Sequence, residues 1–200
     1  MDDVNLEEVV NAKNIVKQIV PDIQADSGIT PSAFVAKAWT IYKERFDSNS
    51  NLNGKVFEAI IAISLVRKNI FPIYLQAKVA FIPGVNYDCI VYTQEIGPVS
   101  ISAKTSLRER WKQADLEAVA LKNIHRKSES YLVTLEPDEV RRRKADPSSV
   151  MALDDFILAN SEEYDKLVDR LSNFTVIEAP SELAVSSNFV ITSENYIDHF

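Results

Sequence analysis

The chain has 200 residues, 46% of them hydrophobic and 26% charged, with only 4 Gly and 8 Pro, which excludes collagen-like, low-complexity and disordered proteins. Its single cysteine, Cys89, excludes an intramolecular disulfide and a zinc site made of several thiolates. The formal net charge of −7 argues against a surface that is basic throughout. The longest apolar run, 59–66, is far shorter than the roughly 20 residues of a membrane helix, and the N-terminus lacks the basic start of a signal peptide. We therefore expect a cytoplasmic protein with no membrane partner.

Helices are predicted first along the chain. Apolar residues recur at helical spacing from Leu6 to Ile19, before Pro21, and again after the start signal Thr30-Pro31. The polar residues 47–54 form a predicted loop. The strongly apolar stretch 56–66 then predicts a third helix, buried on most sides.

Short β-type runs come next, at 73–81, 87–93 and 99–104, and the turn signals between them predict an antiparallel meander. After Lys104 the apolar period changes to 3.6 residues, and another strand is predicted at 131–135. Strand, helix and strand within about 35 residues form a crossover unit. The last strand should therefore lie parallel to the one that ends at Lys104, with a right-handed connection.

Weaker patterns predict helices near 137–144, 151–159 and 162–172 and a strand near 189–192. The predicted fold is one α/β domain over 1–200, with a mixed β-sheet of an antiparallel meander plus a right-handed parallel crossover, flanked by helices. Its parts are an N-terminal helical part at 1–50, a core at 54–135, and C-terminal helices with a strand at 136–200.

The charges are distributed unevenly along the chain. Residues 104–127 carry seven basic and three acidic side chains, so this segment is +4 and the remainder is −11. An acidic protein with one basic face still approaches a polyanion on that face. A solvated helix face explains the same charges, and this alternative also applies to a second basic run at 141–144.

Few residue types are available for catalysis. The two histidines, His125 and His199, have no suitable Ser or Cys partner nearby, which argues against a serine or cysteine hydrolase. The four glycines are isolated, so a Gly-rich phosphate-binding loop is excluded. Asp88 begins the second meander strand and Lys104 ends the third, which places both at one edge of the same hairpin. A carboxylate for Mg²⁺ and a lysine to orient water are the layout of a metal-assisted nuclease.

This arrangement resembles the PD-(D/E)xK nuclease superfamily, in which the lysine follows two residues after an acid. Here Ser102 stands in the position of that acid. One branch, the type II restriction endonucleases that cut CCGG or CC-x-GG sites, has a small residue there and takes a glutamate from the following helix. That branch carries a Lys-Thr-[Thr/Ser]-x-Arg-[Glu/Asp]-Arg-Trp stretch, and residues 104–111 are Lys-Thr-Ser-Leu-Arg-Glu-Arg-Trp.

The resemblance implies that Asp88 and Glu117 hold the metal and that Lys104 positions water. Glu117 is 13 residues beyond Lys104, where the relocated glutamate is expected. On a helical wheel Glu117 flanks the apolar stripe, so its carboxylate can lean toward the strand that carries Lys104. A solvated glutamate at the rim of the helix is the alternative. Asp88 lacks the proline that precedes it in the family and lies close to Lys104 in sequence, so Glu95 is a second candidate for the first ligand.

Three charged residues at the start of the same helix, Arg108, Glu109 and Arg110, are assigned by the resemblance to base reading in the major groove. Arginine donates twice to guanine, and a carboxylate accepts from cytosine N4, so the set suits adjacent G·C pairs. A capping box with Ser106 at the N-cap and Glu109 at N3 is the alternative for the glutamate.

Glu58 is the acid inside the apolar helix 56–66. A carboxylate there is costly unless it is paired or binds a cation. Because nucleases of this superfamily often have a helix glutamate beside the metal, we expect Glu58 to support the site. A hydrogen bond to a buried Lys or Tyr is the structural alternative.

The sequence thus predicts a Mg²⁺-dependent type II restriction endonuclease that cuts double-stranded DNA at a GG/CC-containing site. Palindromic sites favour a homodimer, and the family implies a DNA methyltransferase as functional partner. The alternatives are a sequence-specific DNA-binding protein without catalysis, and a structure-specific repair or junction nuclease of the same superfamily.

Overall fold

The structure is a computed structural model that describes residues 6–47, 49–180, 185–187 and 189–199. The helices are α1 (Leu6–Ile19), α2 (Pro31–Arg45), α3 (Ser50–Val66), α4 (Arg110–Ile124), α5 (Pro137–Ala145), α6 (Glu162–Ser172) and α7 (Tyr196–His199). The strands are β1 (Ile73–Val79), β2 (Tyr87–Thr93), β3 (Gly97–Lys104), β4 (Glu129–Thr134), β5 (Asp155–Leu158), β6 (Val185–Ser186) and β7 (Phe189–Ile191). None of the described helices is both long enough and apolar enough to cross a membrane.

One mixed sheet organises these elements, in the order β5-β4-β3-β2-β1, and β6 and β7 both pair with β1. The neighbours β1, β2 and β3 run antiparallel, whereas β4 runs parallel to β3 and β5 parallel to β4. The predicted meander and the predicted parallel strand after α4 are both present. Because β2 and β3 are antiparallel, the start of β2 and the end of β3 lie at the same end of the two strands.

Each face of the sheet has its own core. On one face the sheet packs against α3 and α6, with α1 and α2 packed outside these helices, and the largest cluster of buried apolar side chains lies there. On the other face α4 and α5 cover it, with Leu121 of α4 buried against Tyr74 and Ile90, and Trp111 against Phe156. The predicted apolar stripe of α4 is buried as expected; its members are Leu107, Trp111, Ala114, Ala118 and Leu121.

Some element boundaries differ from the sequence prediction. The segment 151–159, predicted as a helix, contains the edge strand β5, because Asp155–Leu158 pairs with β4. α3 begins at Ser50 inside the predicted loop, since the Asn49 side chain accepts a hydrogen bond from the Leu52 amide and caps the helix. α4 begins at Arg110, three residues later than its apolar pattern suggests.

A buried acid fixes α4 to the segment before β5. Asp115 is 1% exposed, and its carboxylate accepts three backbone N–H groups, from Met151, Ala152 and Leu153, at 2.8 to 2.9 Å. The spacing of apolar residues did not identify this contact, because an acid inside an amphipathic helix is usually solvent-exposed. Asp115 therefore determines how the middle of α4 sits on the sheet.

We predict that Asp115→Ala destabilises the protein by about 3 kcal/mol, because each buried N–H left without an acceptor costs about 1 to 3 kcal/mol. The free energy of unfolding in urea, with Lys166→Ala as the control, measures this. Lys166 forms only an exposed pair with Glu162 and should change stability little. Equal stabilities of the two variants would contradict the anchoring role of Asp115.

Candidate active site

The candidate site lies where β2 and β3 separate. The ladder between them runs from Thr93 opposite Gly97 as far as Cys89 opposite Ile101. Beyond this point the Ala103 N–H donates to Asp88 Oδ2 at 3.0 Å, so a side chain takes the place of a backbone acceptor. The Asp88 carboxylate is thereby fixed at the opening between the two strands.

Lys104 completes an ion pair at the same point. Its Nζ lies 2.7 Å from Asp88 Oδ2, and the two side chains are only 15% and 11% exposed. Burial lowers the pKa of Lys104, but the charge and hydrogen bond of Asp88, with smaller contributions from Glu58 and Glu117, outweigh it and raise the pKa above its ordinary value. Lys104 is therefore a cation held beside Asp88 at the opening.

Glu117 comes to this opening from α4. Tyr87 directly precedes Asp88 in β2. Its hydroxyl donates to the Glu117 backbone carbonyl at 3.0 Å and holds α4 over the start of β2. The Glu117 side chain is half-buried, and its Oε1 accepts from Gln113 Nε2 at 2.9 Å. Burial raises the pKa of Glu117, and the charge of Asp88 adds to the rise while Lys104 opposes it. Glu117 thus interacts electrostatically with both partners, although Lys104 forms its ion pair with Asp88.

Glu58 approaches from the other face, on α3. Its Oε2 accepts from Gln76 Nε2 at 2.9 Å, so its partner is an amide and neither of the lysine or tyrosine partners considered above. Burial raises the pKa of Glu58 to about 8, and the charge of Asp88 contributes further, against the opposing effects of Lys104 and Gln76. Glu58 therefore belongs to the same electrostatic cluster as Asp88 and Lys104.

Gln76 and Asp88 lie directly opposite each other, between the pairs Leu75–Cys89 and Ala77–Tyr87. Both strands change faces at this point: Leu75 and Cys89 pack with the α3 side, whereas Ala77 and Tyr87 pack with the α4 side. Gln76 has a left-handed backbone with φ of 48°, which costs a non-glycine residue about 1 to 2 kcal/mol. The change of faces at Gln76 thus lies directly beside Asp88 in the neighbouring strand.

The donor set fits a magnesium ion in kind. Within the described part of the chain, no three His, Cys, Asp or Glu side chains form a ready-made metal site. Mg²⁺ at phosphoryl-transfer sites is usually held by one or two carboxylates, with water and phosphate oxygens completing the shell. The carboxylates of Asp88 and Glu117 supply such an incomplete set. Their negative charges repel each other, and a divalent cation bound to both would relieve this repulsion.

The three predicted base-reading residues lie at the start of α4, and all are exposed. The side chains of Arg108 and Arg110 make no hydrogen bond or ion pair to any described residue, and Arg108 has φ of 27°. Glu109 pairs with Lys112 at 2.6 Å and occupies the N-cap position without a side-chain capping bond. The alternative capping box with Ser106 is therefore wrong, and both arginines are open to a ligand.

Other basic residues are used within the protein. In the run Arg141–Lys144, each cation pairs with an acid; the partners are Asp138, Glu139, Asp155 and Glu163. Lys122 pairs with Asp154. It lies near the C-terminal end of α4, about 18 Å of helix rise beyond Arg110. The basic segment 104–127 therefore does not form one continuous surface.

Glu95, the second candidate for the first ligand, lies in the turn between β2 and β3 and accepts the Thr175 N–H at 2.9 Å. This turn is at the opposite end of both strands from Asp88 and Lys104. The structure therefore does not bring Glu95 to the candidate site.

Among solved structures, the chain is similar to the restriction endonuclease PspGI in its complex with substrate DNA. The TM-score is 0.56, with 19% sequence identity over 85% of this chain and 83% of that chain. The predicted fold class, a restriction-endonuclease-like mixed sheet flanked by helices, is confirmed by this similarity. No protein family and no curated protein sequence matches the chain.

We predict a pH-dependent stability that Glu58→Gln removes. The folded state binds the Glu58 proton more tightly than the unfolded state, because its pKa is about 8 against an ordinary 4.5. Stability is thus lost as the pH rises from 4.5 towards 8. The variant should be more stable than the wild type above pH 8, by an amount on the order of 4 kcal/mol, and similar to it near pH 4.

Urea unfolding in EDTA across this pH range measures the effect. EDTA keeps divalent cations from stabilising the ionised carboxylate. If the free energy of unfolding changes with pH in the same way for both proteins, burial does not raise the pKa of Glu58 as described.

Proposed function

We propose that this protein is a Mg²⁺-dependent, sequence-specific endonuclease that hydrolyses phosphodiester bonds in double-stranded DNA. The observation that carries the proposal is the buried Asp88–Lys104 pair at the opening of a sheet with the restriction-endonuclease fold. Glu117 lies within electrostatic range of both residues, on the helix whose exposed start carries Arg108 and Arg110.

In this proposal Lys104 acts on the reacting groups. Its ammonium remains charged at neutral pH, because Asp88 offsets the effect of burial on its pKa. It donates a hydrogen bond to the attacking water and offsets negative charge on the phosphate. The water oxygen forms the new bond to phosphorus as the bond from phosphorus to the leaving sugar oxygen breaks. The water proton passes to solvent or to a carboxylate, and the leaving oxygen takes up a proton from solvent water to become a hydroxyl group.

Asp88 and Glu117 are the residues that would hold the metal. When bound, Mg²⁺ would neutralise charge that develops on the phosphate and on the leaving oxygen. Asp88 also holds Lys104 in position through the 2.7 Å contact, so removing its carboxylate affects both groups. Glu58 supports the cluster from the α3 side.

Base reading is assigned to the start of α4. Arg108 and Arg110 are exposed and unpaired among the described residues, and arginine is the side chain best suited to guanine in the major groove. Glu109 would exchange its Lys112 contact for a cytosine amino group. We expect a GG/CC-containing site of the CCGG or CC-x-GG type. A homodimer would read its two halves, and a cognate methyltransferase would protect host DNA.

Cleavage of supercoiled plasmid in Mg²⁺ tests the proposal. We predict discrete fragments from the wild type and no fragments from Lys104→Ala, because the variant loses the cation that orients water. DNA binding measured without metal should remain, since Lys104 contributes one charge among several. Mapping the fragment ends on a sequenced plasmid identifies the recognition site.

Two other results would each point to a different function. Specific binding without cleavage by the wild type in any divalent metal would indicate a non-catalytic DNA-binding protein. Cleavage of branched DNA regardless of sequence would indicate a structure-specific nuclease.

A second prediction concerns the relocated acid. Glu117→Gln keeps the shape of the side chain but removes a metal ligand, so cleavage should fall by at least about 100-fold. DNA binding should be retained, because the variant removes a negative charge beside the phosphate. Glu95→Gln is the matched control, since the Glu95 carboxylate lies at the end of β2 and β3 that is opposite Asp88 and Lys104. If Glu117→Gln cuts at the wild-type rate, the metal assignment is wrong.

A further inference from the structure

An amide links α3 to the β1–β2 loop at the candidate site. Gln76, in β1, donates from Nε2 to Glu58 Oε2 on α3 at 2.9 Å. Its Oε1 accepts from Asn86 Nδ2 in the β1–β2 loop, also at 2.9 Å. Because both ends of the amide are engaged, rotation of the side chain would break two hydrogen bonds at once.

The backbone of Gln76 also indicates a role beyond packing. Its left-handed conformation lies in the interior of a strand, where such geometry is unfavourable for a residue with a Cβ atom. Glycine would adopt it without strain. The position is directly opposite Asp88, where both strands change faces. A glutamine here therefore has a strained backbone and a fully engaged side chain at the opening of the site.

Glu58 requires a partner that fixes its carboxyl group. It lies on the opposite face from Glu117, and it interacts with Asp88 and Lys104 through their charges. Gln76 gives it a hydrogen bond on Oε2, which fixes one oxygen of the carboxyl group. Asn86 in turn fixes the orientation of the Gln76 amide, since its donor occupies the amide oxygen.

We propose that Gln76 is a positioning residue, which holds the Glu58 carboxyl group towards Asp88 and Lys104 and couples it to the loop that leads into Asp88. The proposal rests on the proposed function of the site, because it assigns Gln76 to that same cluster. Gln76 acts through Glu58, and neither DNA nor metal is its own ligand.

Two substitutions separate positioning from packing. Gln76→Gly removes the amide and relieves the backbone, whereas Gln76→Met keeps the volume and removes only the hydrogen bonds. Both should fold, with a melting temperature close to that of the wild type. The matched control is Asn69→Gly, which relieves a left-handed residue with φ of 57° after α3, outside the site.

Single-turnover cleavage and Mn²⁺ binding are the two readouts. We expect both Gln76 variants to lower the single-turnover rate constant about 10- to 100-fold, as for other residues that orient a metal-site ligand, with the enzyme concentration for half-saturation of DNA unchanged. The dissociation constant for Mn²⁺, from the free-ion EPR signal, should rise in the same variants. Asn69→Gly should match the wild type in both measurements.

The double variant Glu58→Gln/Gln76→Gly tests whether Gln76 acts through Glu58. If it does, the double variant cuts and binds Mn²⁺ no worse than Glu58→Gln alone. Additive losses would overturn the proposal, as would wild-type cleavage and Mn²⁺ affinity in Gln76→Gly and Gln76→Met.

The two proposals fail in different ways. If the wild type cuts DNA and the Gln76 variants cut equally well, the nuclease proposal stands and the positioning role is wrong. If the wild type cuts no DNA, the nuclease proposal is wrong, and Mn²⁺ affinity then decides about Gln76. Weaker Mn²⁺ binding in the variants supports the positioning role, and equal or absent binding overturns it.

Discussion

The candidate site depends on one local constraint, the separation of β2 from β3 beyond the Cys89–Ile101 pair. At that point the Asp88 side chain accepts the Ala103 N–H that a continuing ladder would bind, and the same carboxylate oxygen pairs with Lys104. A buried backbone N–H requires a partner, so the opening persists only while Asp88 supplies it. One carboxylate thus satisfies the backbone and fixes the cation of the site.

Three acidic side chains and one lysine meet around this opening. Asp88, Glu58 and Glu117 come from a strand and from helices on both faces, whereas Lys104 pairs with Asp88 and lowers the pKa of both glutamates. Burial and repulsion from Asp88 raise the pKa values of both glutamates. Under the proposed function, a divalent cation held by Asp88 and Glu117 would relieve the repulsion between them.

The sequence predicted the parts of this arrangement that depend on short-range pattern. Strand periodicity placed Asp88 and Lys104 at one edge, and the wheel of α4 placed Glu117 beside its buried stripe. The face change at Gln76 was not predictable, because Gln76 and Lys78 alternate regularly with the apolar residues of β1 and the sequence shows no break in this alternation. The Asp115 anchor and the β5 strand were missed for a related reason. Both depend on partners distant in sequence, and a four-residue strand gives too short a period to distinguish from a helix.

Moving an active-site acid from a strand to a helix changes what the site depends on. Under the proposed function, Ser102 leaves β3 without its acid, and Glu117 supplies it from α4. That helix begins at the exposed Arg110, seven residues or about 10 Å of helix rise before Glu117, and Arg108 lies just ahead of it. The helix is fixed in its middle by Asp115 and held over β2 by the Tyr87 hydroxyl. Because a packed helix moves as a unit, contacts that place its start against DNA also determine where the Glu117 carboxylate lies relative to Asp88 and Lys104. Sequence recognition and assembly of the catalytic cluster would then share one rigid element, so a mismatch at the bases would be transmitted to the acid.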